Sequence, residues 1–197
     1  TDPFTQLVEG YLSTNASEVT DAIAWEGLRN IQSALPGVYL DGDDSGARTE
    51  MAFATLCSGI VLTNAGLGVI HGLAPPLGCL FSIPHGSVCG TLMASGNGKT
   101  RELLITAALE DKACESTLEK YGRLDELFCG IESSGASRGA AFVDYLHDLT
   151  DRLRLPLLSR FGVTSDHLDT IVAGASNKNN PVRLDADAIK EIVADRL

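Results

Sequence analysis

The sequence predicts an all-α protein, a helical bundle forming a single domain over residues 1–197, and three observations support this prediction. Apolar residues recur three and four positions apart in most segments, which is the spacing of one helix face. Asp and Ser stand at the starts of several of these segments, where their side chains can cap helices. No segment shows the period-two alternation of a strand, and no internal repeat is present. With 44% hydrophobic residues, the chain can bury a substantial core.

The first two predicted helices span residues 2–13 and 18–35, because both have an apolar stripe at helical spacing. The pair Pro36-Gly37 is predicted to end the second helix, since a proline inside a helix removes a hydrogen bond. Trp25 lies near the middle of this helix and is predicted to belong to the core.

The next segment, residues 46–65, is apolar on nearly every face and is predicted to be a central helix. The acidic loop 41–45 before it is interpreted as a solvated turn that also caps this helix. A short helix carrying His71 follows and is predicted to break near Pro75-Pro76. Another helix is predicted to begin at Pro84.

The second half of the chain is predicted to be helical as well. Two helices are expected over residues 100–121 and 122–130, and a third over residues 138–155. Ser165 is predicted to begin a further helix, and Asp185 to cap the last one.

Charge and cysteine usage limit the possible partners. The net charge of −11 argues against binding nucleic acid or an acidic membrane surface, because both would repel the protein. The five cysteines are odd in number and form no C-x-x-C pair, which favours a reduced, cytoplasmic setting. No secretory leader or apolar run of membrane-spanning length is present, so no membrane association is expected.

Two histidines in the stretch 64–90 are the first candidates for chemistry. His71 and His85 are fourteen residues apart, and each lies among glycines and apolar residues. A buried imidazole needs a hydrogen-bond partner, a charge or a metal, and adjacent glycines let a ligand or another backbone approach closely. Two histidines in similar surroundings therefore suggest a joint site, although two separately satisfied core histidines remain the alternative.

The motifs around these histidines resemble those of the iron-containing (group III) alcohol dehydrogenases. They are Gly66-Leu67-Gly68, His71, Pro76-Leu77-Gly78 and Pro84-His85-Gly86. The resemblance implies a fold like the C-terminal domain of the dehydroquinate synthase and iron-containing alcohol dehydrogenase superfamily. It also implies that both histidines bind a divalent metal at the floor of a cleft.

The same resemblance assigns two further metal ligands to the first helix. Asp2 matches an aspartate ligand of the family, and Gln6 occupies the place of a third histidine, as in the branch with Gln there. The implied ligand set is thus Asp2, Gln6, His71 and His85, holding Fe(II) or Zn(II), although a neutral amide is a weaker ligand than imidazole. Taken alone, Asp2 is otherwise a helix N-cap, and Gln6 a hydrogen-bonding partner of a neighbouring helix.

The chemistry that the resemblance implies is hydride transfer between an alcohol or aldehyde and NAD or NADP. A metal would act as a Lewis acid on the substrate oxygen. Many family members have a histidine where this chain has Pro75, which cannot relay a proton. No other catalytic residue and no nicotinamide-binding residue is assigned in this chain.

The abrupt start at Thr1-Asp2-Pro3 suggests a fragment. The resemblance implies that the family's N-terminal dinucleotide-binding domain is absent from it. We therefore expect these 197 residues alone to be inactive, and the full-length protein to be a homodimer or higher oligomer. Two alternatives remain open. One is half of a metal-independent reductase resembling maleylacetate reductase, and the other is a non-catalytic helical interaction domain.

Overall fold

The computed structural model describes all 197 residues, which form nine α-helices and no strand. The all-α prediction is therefore confirmed. The helices are α1 (Asp2–Leu12), α2 (Glu18–Leu40), α3 (Ser45–Ala65), α4 (Val69–Phe81), α5 (His85–Ala107), α6 (Lys112–Cys129), α7 (Ala140–Arg152), α8 (Leu168–Ala173) and α9 (Ala186–Ala194). Short 3₁₀ turns lie at Gly135–Ser137, Leu158–Phe161 and Ser165–His167.

Side-chain caps fix the start of four helices. Ser17 accepts a hydrogen bond from the backbone N–H of Thr20 at the start of α2. Asp44, Asp111 and Asp185 do the same for α3, α6 and α9. These bonds satisfy backbone N–H groups that a helix cannot pair internally, each contributing about 1 kcal/mol. The predicted capping roles of the acidic loop before α3 and of Asp185 are confirmed.

Two apolar cores meet at α5. The larger core is built from α1, α2, α3, α6 and α7, together with Met93, Ala94 and Leu104 of α5. The smaller core contains α4, α8, α9 and the first turns of α5. Because α5 contributes to both, the junction between the cores lies where α1, α4 and α5 meet.

The predicted end of the second helix at Pro36-Gly37 is wrong, because α2 continues to Leu40. Pro36 lacks the N–H that would bond the carbonyl of Gln32, so this last turn is weakened locally. Tertiary contacts compensate, since the hydroxyl of Tyr39 donates to the carbonyl of Arg152 on α7. Helix ends of this kind depend on neighbours that are distant in sequence.

The predicted break of the next short helix at Pro75-Pro76 is also wrong, because α4 runs through both residues to Phe81. Pro76 has no N–H to give to the carbonyl of Gly72. That carbonyl instead accepts a hydrogen bond from the backbone N–H of Ser176 at 3.3 Å. Burial of Leu77 against the smaller core further holds this part of the helix.

The prediction that residues 46–65 form a central helix is wrong in its packing, although α3 exists. One face of α3 packs on α1 and α2, where Ala54 and Val61 are buried. The other face exposes Phe53, Leu56 and Ile60, with Leu56 63% accessible, because no element of this chain covers it. No single helix meets the length and hydropathy of a membrane span, and α3 with α4 does so only as a pair bent by 98°.

Two smaller expectations also differ from the structure. The two helices predicted over residues 100–121 and 122–130 are misplaced, because α5 continues to Ala107 and one helix, α6, follows the Asp111 cap and runs without a break to Cys129. Trp25 is half-buried at the edge of the larger core, where the guanidinium of Arg123 lies 4.2 Å from its ring centroid. All five cysteines are free thiols.

Candidate metal centre

Three of the predicted side chains converge at the junction of the two cores. Asp2 lies in the first turn of α1, His71 in the first turn of α4, and His85 is the first residue of α5. The Nε2 atoms of both histidines lie 3.4 Å from the same carboxylate oxygen, Oδ1 of Asp2. Asp2 thus shares one point with two histidines that lie more than 60 positions later in the chain.

Two of these converging atoms are buried and have no hydrogen-bond partner. They are Oδ1 of Asp2 and Nε2 of His71. A buried polar atom without a partner costs about 1 to 3 kcal/mol. Two such atoms, facing each other, are the arrangement expected around a cation that both would coordinate.

Glu9 orients His71 from behind. Its Oε2 lies 2.6 Å from Nδ1 of His71, and its Oε1 accepts the backbone N–H of Ile70 at 2.7 Å. Since a carboxylate can only accept, Nδ1 carries the proton and Nε2 presents its lone pair to the site. Glu9 was not predicted from the sequence as part of the site, although its position seven residues after Asp2 places both on one face of α1.

Cys89 adds a fourth donor atom that the sequence analysis also missed. It lies four residues after His85, one helical turn along α5, and its Sγ is 3.5 Å from Nε2 of His85. The donor atoms of Asp2, His71, His85 and Cys89 all lie within 4.8 Å of one another. Burial raises the pKa of the Cys89 thiol, and the negative charge of Asp2 raises it further.

Gln6 contacts the site through Asp2. Its amide Nε2 donates a hydrogen bond to Oδ2 of Asp2 at 3.2 Å, one helical turn away. The alternative prediction of a bond to a neighbouring helix is thus wrong, because this bond stays within α1. The alternative role of Asp2 as a helix cap is also wrong, since Thr1 occupies the N-cap position.

Glycines beside His71 allow the surrounding chain to approach, as the sequence analysis expected. A Cβ atom on Gly72 would lie 1.6 Å from the carbonyl oxygen of Ser176. A Cβ atom on Gly68 would lie 2.9 Å from Oε1 of Glu9 and 2.6 Å from Oδ1 of Asn180. The same Asn180 oxygen accepts the backbone N–H of Val69 at the start of α4. Only glycine permits this close contact.

The site has a closed side and an open side. The side chain of His71 is 10% exposed and that of His85 is 55% exposed.

Around a tetrahedral metal with bonds of about 2.0 to 2.1 Å, oxygen and nitrogen donors stand about 3.3 to 3.4 Å apart. The 3.4 Å separations of Asp2 from both imidazoles match this spacing. One carboxylate and two imidazoles are also a donor set that suits Fe(II) or Zn(II), so the residues present fit a divalent cation.

The comparison with known proteins agrees with a site for a divalent metal. The whole chain, residues 1–197, matches the model for the family described as "Fe-containing alcohol dehydrogenase family, C-terminal". It is 29% identical to alcohol dehydrogenase 4 of Saccharomyces cerevisiae over 197 residues, covering 98% of this chain and 48% of that protein. It is 39% identical to the 1,3-propanediol dehydrogenase of Klebsiella pneumoniae over 92 residues, covering 47% of this chain and 24% of that protein.

Solved structures share the fold. A crystal structure of 1,3-propanediol oxidoreductase superimposes with a TM-score of 0.86 at 25% identity, covering 100% of this chain and 50% of that one. Maleylacetate reductase from a Rhizobium species superimposes with a TM-score of 0.73 at 24% identity, over 99% of this chain and 50% of that one. The second likeness shows the fold alone. The chain spans about half the length of the curated relatives that match it over its whole extent.

Proposed function

The chain belongs to the iron-containing alcohol dehydrogenase family, and we propose that it is the metal-binding half of an NAD(P)-dependent alcohol dehydrogenase or aldehyde reductase. One observation carries the proposal. Asp2, His71 and His85 direct three donor atoms to one point, and two of these atoms are buried without a protein partner. The substrates are small-molecule alcohols or aldehydes, as the names of the relatives suggest.

A divalent cation held by Asp2, His71 and His85 would polarise the substrate oxygen as a Lewis acid. The residues of the chain prepare that position. Glu9 holds the imidazole of His71 in one tautomer and one orientation, and Gln6 steadies the carboxylate of Asp2. His85, being more than half exposed, forms the side from which a substrate reaches the site.

We assign no side chain of α4 to proton transfer. Pro75 lies one helical turn after His71, is exposed, and has neither an N–H nor a titratable group. A proton leaving the substrate oxygen therefore passes to water or to a group outside this helix. Replacing Pro75 with His is expected to change the pH profile of kcat while leaving metal content unchanged.

The nicotinamide cofactor is proposed to bind mainly to a separate N-terminal domain. Dinucleotide-binding folds use a parallel sheet with a glycine-rich turn, and this chain contains no strand. We therefore expect no turnover from these 197 residues alone. The expectation of a homodimer or higher oligomer stays a prediction, which light scattering of the full-length protein would check.

The proposal is tested on the full-length protein by measuring metal content and NAD(P)H-dependent aldehyde reduction. The protein is expected to contain close to one divalent metal ion per chain, and His71→Ala should abolish both metal and activity. His147→Ala is the matched control, because His147 is exposed on α7 and is not among the converging side chains. A metal-free protein whose activity survives a chelator would contradict the proposal.

A metal-free protein whose activity survives a chelator is the outcome expected if the full-length protein is a metal-independent reductase. Two departures, Gln6 and Pro75, are compatible with a metal-independent reductase, since many members of the family have histidines at these places. The non-catalytic alternative predicts a different result. In that case His85→Ala would lower the melting temperature but leave metal affinity unchanged, and added Zn(II) would not raise the melting temperature of the wild type.

A further inference from the structure

The fourth side chain of the cluster, Cys89, has no place in the ligand set described so far. Its Sγ atom faces the donor atoms of Asp2, His71 and His85, although cysteine in an apolar helix segment is usually a small hydrophobic residue. Cys89 is fully buried, and its side chain lies on the same face of α5 as His85. The question is whether its position reflects packing or coordination.

The measured separations favour coordination. A tetrahedral metal with nitrogen bonds of about 2.05 Å and a sulfur bond of about 2.3 Å separates nitrogen and sulfur by about 3.6 Å. The observed distance between Sγ of Cys89 and Nε2 of His85 is 3.5 Å. Together with the two 3.4 Å separations at Asp2, three of the six separations in the cluster have the lengths expected of one metal's ligands, and all six are within 4.8 Å.

Independent evidence for a ligand at this point comes from His71. Its side chain is nine-tenths buried, and its Nε2 atom faces the cluster without a hydrogen-bond partner. The amide of Gln6 does not fill this need, because it donates to the outer oxygen of Asp2. A cation among the four atoms would satisfy both Nε2 of His71 and Oδ1 of Asp2.

We propose that Cys89 is a fourth protein ligand of the metal, a thiolate beside one carboxylate and two imidazoles, and that the substrate oxygen approaches from the open side at His85. This assignment rests on the metal site of the proposed function. On binding, the S–H bond of Cys89 breaks, the sulfur electron pair forms the bond to the metal, and the proton passes to solvent, with no change of oxidation state. Because thiolate is a soft ligand, the site takes Zn(II) in preference to harder cations such as Mg(II) or Mn(II).

Cobalt(II) replaces zinc in such sites and reports sulfur ligation directly. The full-length protein is stripped of metal and titrated with Co(II), and its absorption spectrum is recorded. The wild type should show a sulfur-to-cobalt charge-transfer band in the near ultraviolet, together with visible bands of a four- or five-coordinate ion. Cys89→Ser should lose the charge-transfer band, and its preference for Zn(II) over Mn(II) should fall at least tenfold.

The matched control is Cys57→Ser, because Cys57 is also buried but lies on α3 outside the cluster. This variant should keep the charge-transfer band. A wild-type Co(II) complex without the band would overturn the assignment of Cys89 while leaving the metal site intact, and so would a band that persists in Cys89→Ser. Failure of the wild type to bind Co(II) or Zn(II) at all would overturn the proposed function and, with it, this assignment. The wild-type spectrum decides the question even if the variant does not fold.

Discussion

Glu9→Gln tests whether metal affinity depends on the orientation of His71. Glu9 is 6% exposed and accepts three hydrogen bonds, from Nδ1 of His71 at 2.6 Å, from the N–H of Ile70 at 2.7 Å and from the N–H of His71 at 3.3 Å. Glutamine keeps the shape of glutamate but has only one accepting oxygen. Its amide group would therefore face a donor, leaving either Nδ1 of His71 or the N–H of Ile70 without an acceptor.

The expected magnitude follows from that lost acceptor. Removing a carboxylate behind a metal-bound imidazole lowers metal affinity by about 10- to 100-fold, which corresponds to about 1.4 to 2.8 kcal/mol. One stranded buried donor lowers the free energy of unfolding of the metal-free protein by about 1 to 3 kcal/mol. Both quantities are measurable in the same preparation, by zinc titration against a competing chelator and by urea unfolding.

The control for this prediction is Glu126→Gln, which makes the same chemical change at an exposed position on α6. It should leave both the zinc affinity and the free energy of unfolding within error of the wild type. If folded Glu9→Gln binds zinc as tightly as the wild type, the argument that Glu9 fixes the coordinating nitrogen of His71 is refuted. A loss of stability alone would show only that Glu9 supports the start of α4.

Four further predictions concern stability, and urea unfolding checks each of them. Tyr11→Phe should raise the free energy of unfolding by about 1 kcal/mol, because the buried Tyr11 hydroxyl has no partner, whereas Tyr121→Phe should lower it by about 1 kcal/mol through loss of a hydrogen bond. Burial also raises the pKa of Tyr11 from 10.0 to about 12. Below pH 10 the phenol is protonated in both the folded and the unfolded protein. As the pH rises from 10 towards 12 only the unfolded chain releases the proton, so the free energy of unfolding falls in this range. Tyr11→Phe should lack this loss of stability between pH 10 and pH 12. The prediction is contradicted if the wild type and Tyr11→Phe lose stability equally over that range. Gly72→Ala should lower the free energy of unfolding by about 3 kcal/mol or more, because the new Cβ would meet a backbone oxygen at 1.6 Å. Gly59 has open space around it, so Gly59→Ala should raise the free energy of unfolding by about 0.5 to 1 kcal/mol. Equal effects at the two glycines would refute the close-approach argument. Asp125→Ala should lower the free energy of unfolding by about 3 kcal/mol, because this fully buried carboxylate accepts hydrogen bonds from the Ser133 hydroxyl and from the N–H groups of Gly139 and Phe142 at the start of α7. A change below about 1 kcal/mol would contradict that role.

The sequence by itself determined the helical class and several helix starts. Apolar spacing and capping side chains are local signals, and the acidic loop before α3, through Asp44, and Asp185 before α9 cap the helices as expected. The family resemblance, read from the motifs around His71 and His85, identified Asp2 as well, and the structure brings these three side chains together.

Only the tertiary structure decided the rest of the site. Glu9 and Cys89 lie within largely apolar helix segments, and their spacing from Asp2 and His85 shows a shared helix face but not what the two side chains contact. Their roles depend on contacts across the fold, such as the approach of Glu9 to His71, 62 positions later in the chain. Contacts between distant segments also explain why Pro36 does not end α2 and why Pro75 and Pro76 do not break α4. They explain likewise why one apolar face of α3, expected to be buried, stays exposed. Local propensity describes what a segment favours alone, whereas packing against distant segments decides where a helix ends and which of its faces is buried.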